Sequence, residues 1–264
     1  MQIDKEKFSP EGKNLLSLLL SPSWPEAVPS FLICDDTEED KFERASGIID
    51  FLRFDIEGKK VCDLGCGEGH LAIEASKKAS LSIGYDLVKS GIHEWENQEK
   101  TLLTTNLDLA TEKGPFDYII LYDVIDHHHD PNAVLQAALR LGSPQTELFI
   151  RCHPWMGRHG GHLYRELNKA FAHLVFTPQE IEWMGIKQEF CNKYYLPVLT
   201  HEAWFRACKM KKITEEIVKT PVEQFFRRPE IMARLPLQAF GGQFPEWQMS
   251  QTFNDYYISL EDAY

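Results

Sequence analysis

The residues best suited to chemistry lie in one short run, Val61-Cys62-Asp63-Leu64-Gly65-Cys66-Gly67-Glu68-Gly69. A brief apolar segment ends in an acid, and glycines follow at alternating positions. Glycine lets a chain turn sharply and bring its backbone close to a ligand. A helix starting at the end of such a turn offers N–H groups that have no partner within the helix. Both features suit a nucleotide-like cofactor. A second apolar run, Ile83-Gly84-Tyr85-Asp86-Leu87, ends in Asp86, about twenty residues beyond the loop. An acid at that spacing can accept hydrogen bonds from both hydroxyls of a ribose. A dinucleotide fingerprint, G-x-G-x-x-G, would need glycine where this chain has His70, and a side chain there obstructs close helix–strand packing.

Histidines supply the second candidate chemistry. His127, His128 and His129 follow one strand-like run, and His153, His159 and His162 follow another. Imidazole exchanges protons near neutral pH, so His127 and His153 are the candidates for a base or for a group that orients an acceptor. Polar loop roles explain the same residues. Six histidines also raise the question of zinc or nickel. Adjacent histidines point apart, however, and no i, i+4 pair stands on a helix, so no metal is expected. Arg151, Arg158 and Arg165 lie nearby, with Arg227 and Arg228 later. Arginine favours carboxylates and phosphates, which admits an anionic or sugar-like substrate, although surface ion pairing accounts for them equally well.

These residues need a scaffold that alternates strands and helices. Val61 to Leu64, Leu81 to Tyr85, Phe116 to Tyr122 and Glu147 to Cys152 read as strands, and the run Tyr118-Ile119-Ile120-Leu121 is apolar on both faces, as in a central parallel strand. Helices are expected at 38–54, 68–79 and 88–98. A further helix opens with Asp130 and Pro131 and stops at Gly142. Thr177 and Glu180 have the spacing of a capping box. Residues 187–196 and 202–210 read as two final strands. The alternation predicts a doubly wound α/β sheet. Three segments follow: a helical N-terminal part at 1–58, which could cover the site with Trp24 and Phe31 near the acceptor or simply bury them in the core; a core at 59–210; and an aromatic-rich extension at 211–264 packed on the core.

Composition narrows the function. The 264 residues carry 28 Lys and Arg against 40 Asp and Glu, a net charge of -12, which opposes broad binding to a phosphate backbone. There is no long apolar run to span a membrane and no apolar signal core at the start. The six cysteines form no C-x-x-C pair and read as reduced thiols, which places the protein in the cytoplasm.

Asp63, the Gly65-x-Gly67-x-Gly69 loop, Asp86, and the run Phe116-Asp117 through Asp123-Val124-Ile125-Asp126-His127 to Asp130-Pro131 resemble the class I methyltransferases that use S-adenosylmethionine (SAM). Asp126 stands where that family usually has Glu. The resemblance covers roughly residues 40 to 210. It implies a Rossmann-like, mostly parallel seven-stranded sheet and SAM as cofactor. It implies that the loop holds the methionine part, Asp86 the ribose and Asp108 the adenine amino group. Asp63, Gly65, Cys66, Gly67, Leu87, Tyr122 and Asp123 complete the implied cofactor site. The expected activity is methyl transfer to O, N or C of a small-molecule acceptor by a monomer or homodimer, without nucleic acid. A macromolecular substrate and a non-catalytic SAM-binding subunit are the alternatives.

Overall fold

The computed structural model describes residues 3–30, 37–88, 100–128, 130–186, 203 and 205–264. The chain forms two compact units, each assembled from separate stretches: Asp35–Cys152, His201–Glu216 and Asp255–Tyr264 make one, and Met1–Cys34, His153–Thr200 and Ile217–Asn254 the other.

The first unit is built on a sheet. Its strands are β1 (Lys60–Leu64), β2 (Leu81–Tyr85), β3 (Thr101–Thr104), β4 (Tyr118–Tyr122) and β5 (Glu147–Cys152), with residues 211–216 of β6 (Lys211–Lys219) and 255–259 of β7 (Gln251–Ser259). The seven strands lie in the order β3-β2-β1-β4-β5-β7-β6, and β1 to β5 pair in parallel. Strand β1 is flanked by β2 on one side and β4 on the other, so the direction of winding reverses there. Ligands of open α/β sheets bind at the carboxyl ends of strands beside such a reversal.

Side-chain alternation along the strands divides the core between the two faces of the sheet. Cys62, Leu64, Ile119, Leu121, Leu148 and Ile150 join α5 (Pro131–Leu141) through Val134, Leu135, Ala138 and Leu141. The intervening Val61, Ile120 and Phe149 join α2 (Glu38–Phe51) through Ala45 and Ile49, and α3 (His70–Ala75) through Leu71 and Ala75. Apolar runs in the central strands are therefore required, because both faces are covered. Helix α5 starts as its sequence dictates: Asp130 accepts hydrogen bonds from the amides of Asn132 and Ala133, and Pro131 occupies the first turn.

The second unit has its own core around Trp24, Phe171, Phe176 and Phe226. It contains α1 (Pro10–Leu19), α6 (Ala172–Val175) and α7 (Pro178–Trp183), and α7 begins with the expected capping box of Thr177 and Glu180. Trp24 is 1% exposed and donates its indole N–H to the Ala170 carbonyl. Of the two expectations for Trp24, the structure has the core one: it is a core residue with its polar atom satisfied. Phe31 lies outside the described residues.

The end of the sheet also departs from expectation. Residues 187–202 lie outside the described residues, and Ala203 and Phe205 to Ala207 are helical rather than strand. Two strands of the sheet come from the C-terminal extension, as β6 and β7. Most of the helix expected at 88–98 lies outside the described residues.

Candidate active site

The glycine loop joins β1 to α3, and three of its residues have the backbone conformation that glycine adopts most easily: Gly65 at φ +89°, Gly67 at +53° and Gly69 at +90°. Two of these also answer to close approach. A Cβ on Gly65 would stand 2.5 Å from Val124 Cγ2, and one on Gly69 would stand 2.5 Å from Leu103 Cδ1. Gly67 differs, because a Cβ there would meet nothing within 4 Å. Its backbone borders open space, as a cradle for a ligand should. The Gly65 and Cys66 amides both donate to the Tyr85 carbonyl, at 2.7 and 3.0 Å, which ties the loop to β2.

Asp86 ends β2 beside this loop. Its Oδ2 accepts from the Gly67 amide at 2.8 Å and its Oδ1 from the Val88 amide at 3.1 Å. Each carboxylate oxygen keeps acceptor capacity beyond these single bonds. Leu87 and Val88, which follow, are 63% and 67% exposed. Two exposed apolar side chains beside a carboxylate are suited to the flat face of a ring.

Asp63 sits beneath the loop and is 4% exposed. Burial, with the nearby Asp86 charge adding to it, pushes its carboxyl up to about 7, although the Ala72 amide donates to it and opposes the rise. Burial likewise pushes the Cys66 thiol far up, which keeps it a neutral thiol rather than a nucleophile.

The carboxyl end of β4 carries Tyr122 and Asp123. Asp123 adopts φ +56° without being glycine, a strained conformation of the kind that clusters at functional sites. Its amide donates to the Arg151 carbonyl at 3.0 Å. Tyr122 accepts from Arg151 Nη1 at 2.6 Å, and Arg151 also makes two 2.6 Å bonds to Asp255, forming a bidentate pair. The guanidinium lies 4.8 Å from the ring centres of both Phe51 and Tyr122. Sequence reasoning did not find Asp255, which is 104 positions from Arg151 and carries no local signal.

That pairing bears on the expected anionic substrate. Arg151 is committed to Asp255, and in the other unit Arg158 makes a bidentate pair with Glu223 at 2.8 and 2.5 Å. Arg227 pairs with Glu246, and Arg228 lies over the Phe225 ring. Arg151, Arg158 and Arg227 are thus each paired with a carboxylate of this chain, and Arg228 with a ring.

Asp108 is placed differently from the other cofactor candidates. It lies in the first turn of α4 (Leu107–Lys113), its side chain is 79% exposed, and it pairs with Arg140 at 2.6 Å. Its carboxylate already serves a surface ion pair between helices.

The histidines divide between the units. His127 follows the Asp123 turn, and its Nε2 is 4.0 Å from Oδ2 of the buried Asp126. His128 accepts from the Asp130 amide and so shapes the turn before α5. His129 lies outside the described residues. In the other unit His153 Nδ1 lies 3.1 Å from the Thr252 carbonyl and 3.0 Å from His159 Nε2. Burial, and after it His153 and His162, lower His159 to about 3 and keep it neutral.

The sheet order and the strand–loop–helix at β1 define a Rossmann-like protein. The chain belongs to the methyltransferase domain family, whose model it matches over residues 38–192, more than half its length. It is 30% identical over 174 residues to the ubiquinone biosynthesis O-methyltransferase of Psychrobacter cryohalolentis, an alignment covering 56% of this chain and 67% of that protein. It is 31% identical over 106 residues to the protein of the same name from Xanthomonas oryzae pv. oryzae, covering 37% of this chain and 44% of the other. The chain thus spans less than half the length of several curated relatives it matches. Among solved structures it is similar to the plantazolicin methyltransferase BpumL in complex with a pentazolic desmethylPZN analog and SAH, with a TM-score of 0.47, 16% identity, and coverage of 85% of this chain and 86% of that one. It is also similar to phosphoethanolamine N-methyltransferase 2 of Haemonchus contortus, with a TM-score of 0.48, 14% identity, and coverage of 82% and 52%. Among the described residues no helix is long and apolar enough to cross a membrane.

Proposed function

We propose that this chain transfers a methyl group from SAM to an oxygen of a small-molecule acceptor. The observation that carries the reading is the cradle at Gly67, whose backbone borders open space while its amide is held by Asp86. The O-methyltransferase relatives favour oxygen over nitrogen or carbon. The absence of a long apolar helix among the described residues and the reduced-thiol reading accord with a cytoplasmic enzyme.

When bound, SAM supplies a methyl group already activated on a sulfonium. The residues of this chain have to hold the cofactor, align the acceptor and exclude water. Asp86 would hold the ribose hydroxyls and the backbone of Gly65, Cys66 and Gly67 the methionine part. Leu87 would flank the base, with Asp63, Tyr122 and Asp123 completing the walls. Asp108 has the least support, because Arg140 already holds its carboxylate. An acceptor hydroxyl must lose its proton as it attacks. His127 and His153 are the groups proposed to take it.

The test is methylation of hydroxyl-bearing acceptors, read as S-adenosylhomocysteine (SAH) formed. Wild type is expected to turn over with at least one acceptor, and His127→Ala or His153→Ala to slow turnover by roughly a hundredfold, the general range for loss of a base. Wild-type rates in both variants would remove the base assignment.

A further inference from the structure

The glycine loop is held from two sides. On the sheet side, Asp86 takes the Gly67 amide. On the outer side, Glu68 and His70, which bracket Gly69, meet the first turn of α2. Lys41 Nζ lies 2.5 Å from Glu68 Oε2 and 3.1 Å from Glu38 Oε1. The other oxygen of Glu38 lies 3.0 Å from His70 Nε2. The Phe42 ring meets the His70 ring edge-on, with centres 4.8 Å apart.

Lys41 is the hub of this cluster. Its side chain is only 15% exposed, although its tip is charged. Hydrogen bonds from His70 and then Lys41 draw the Glu38 carboxyl below its ordinary range, and Glu68 and then Glu38 raise the Lys41 ammonium. Glu38, Glu68 and His70 offer ligand atoms within 4.8 Å of one another, the spacing of a metal site. The Lys41 ammonium already bridges the two carboxylates, so the cluster is a closed ion network. Helix α2 is itself fixed at this end, because Thr37 and Asp40 form a capping box.

The loop between these supports is tied to β2 at its start and closed by the Gly69 amide on the Cys66 carbonyl at 2.8 Å, but its outer side is held by side chains alone. Its three glycines have wide conformational freedom, and ordering them on binding would cost free energy. We propose that Lys41 is a positioning residue for the cofactor loop: through Glu68 directly, and through Glu38 to His70, it fixes the turn at Gly69 so that the cradle is formed before SAM arrives. This inference rests on the reading of the loop as the SAM site. It makes α2 part of the binding apparatus although it precedes the first strand.

The test is calorimetric titration of the full chain with SAM and separately with SAH. SAM carries a sulfonium charge and SAH does not. Acting through loop position, Lys41 must affect both alike. Lys41→Met is expected to weaken both by about fivefold, the scale of one well-placed ion pair. Lys41→Arg, which keeps the charge, should restore most of the affinity. Glu68→Gln should match Lys41→Met, and the double variant should be no worse than either alone. Glu68→Gln carries the test by itself if Lys41→Met does not fold. Wild-type affinity for both ligands in these variants overturns the proposal. A change confined to SAM also overturns it, because Lys41 would then act only as a charge on the sulfonium. Failure of the wild-type chain to bind either ligand is a separate result, and strikes the cofactor reading itself.

Discussion

Asp63→Asn should make the ligand-free protein more stable at neutral pH while weakening its hold on SAM. Burial and the Asp86 charge raise the Asp63 carboxyl from 3.8 to about 7 in the folded chain. A carboxyl raised on folding stabilises the protein fully below its unfolded value. That contribution is lost as pH rises through the folded value. The window is therefore pH 3.8 to about 7. A rise of about three pH units at ~1.4 kcal/mol each corresponds to roughly 4 kcal/mol, to order of magnitude. The asparagine variant escapes this loss, because an amide does not ionise. Urea unfolding of both proteins between about pH 4 and pH 8 measures the difference, in which other titrating groups largely cancel. The advantage of the variant should grow across the window and level off above it. In the same experiments SAM should stabilise the variant less than wild type, an exchange of function for stability. A stability difference that stays constant from pH 4 to pH 8 would refute the reasoning, since Asp63 would then be ionised throughout.

Three further outcomes follow from the same structure. Gly69→Ala combines positive φ with a Cβ 2.5 Å from Leu103, and should cost about 2–4 kcal/mol in urea unfolding, whereas Gly67→Ala meets open space and should cost about 1–2 kcal/mol. Equal costs would show that crowding at Leu103 is relieved without penalty. Asp86→Asn should raise the SAM dissociation constant roughly thirtyfold, about 2 kcal/mol, by weakening charge-assisted bonds to the ribose, and an unchanged constant would remove Asp86 from the site. His173 is held at about 4 by burial and donates its Nε2–H to the Trp155 carbonyl at 2.6 Å. Its lowered value stabilises the fold above pH 6.5 and is lost as pH falls toward about 4, so His173→Gln should flatten the acid side of the stability profile. A profile that falls as steeply as wild type would place the acid sensitivity elsewhere.

The parts of this molecule that could be read from sequence are those whose signals are local. The Gly65–Gly69 loop, Asp86 and the Asp130 cap each combine a residue type with a fixed spacing, and the structure places them where that spacing requires. Strands β1, β2, β4 and β5 are buried on both faces, and so read as apolar runs. Strand β6 is the opposite case. Its sequence, Lys-Lys-Ile-Thr-Glu-Glu-Ile-Val-Lys, is charged and mostly exposed because it lies at the end of the sheet, where charge discourages pairing with other chains. Strand β7 begins with Gln251 and Thr252 and shows no clean alternation, yet Tyr256 and Ile258 pack on one face of the sheet and Tyr257 on the other. In the site, partners distant in sequence were invisible. Nothing near Arg151 announces Asp255, and nothing near Glu68 announces Lys41, which is 27 residues away on α2. The partner of Asp108 was hidden in the same way: its spacing fits a cofactor acid, and nothing near it announces Arg140, 32 positions away.

The central claim is that the Gly65–Gly69 loop and Asp86 form a SAM site, and the most direct measurement is calorimetric titration of the full chain with SAM. Saturable binding at one site per chain is predicted. At a free concentration of 100 times the dissociation constant, that binding should stabilise the fold by about 2.7 kcal/mol. No heat of binding, together with no rise in unfolding temperature at millimolar SAM, would contradict the account.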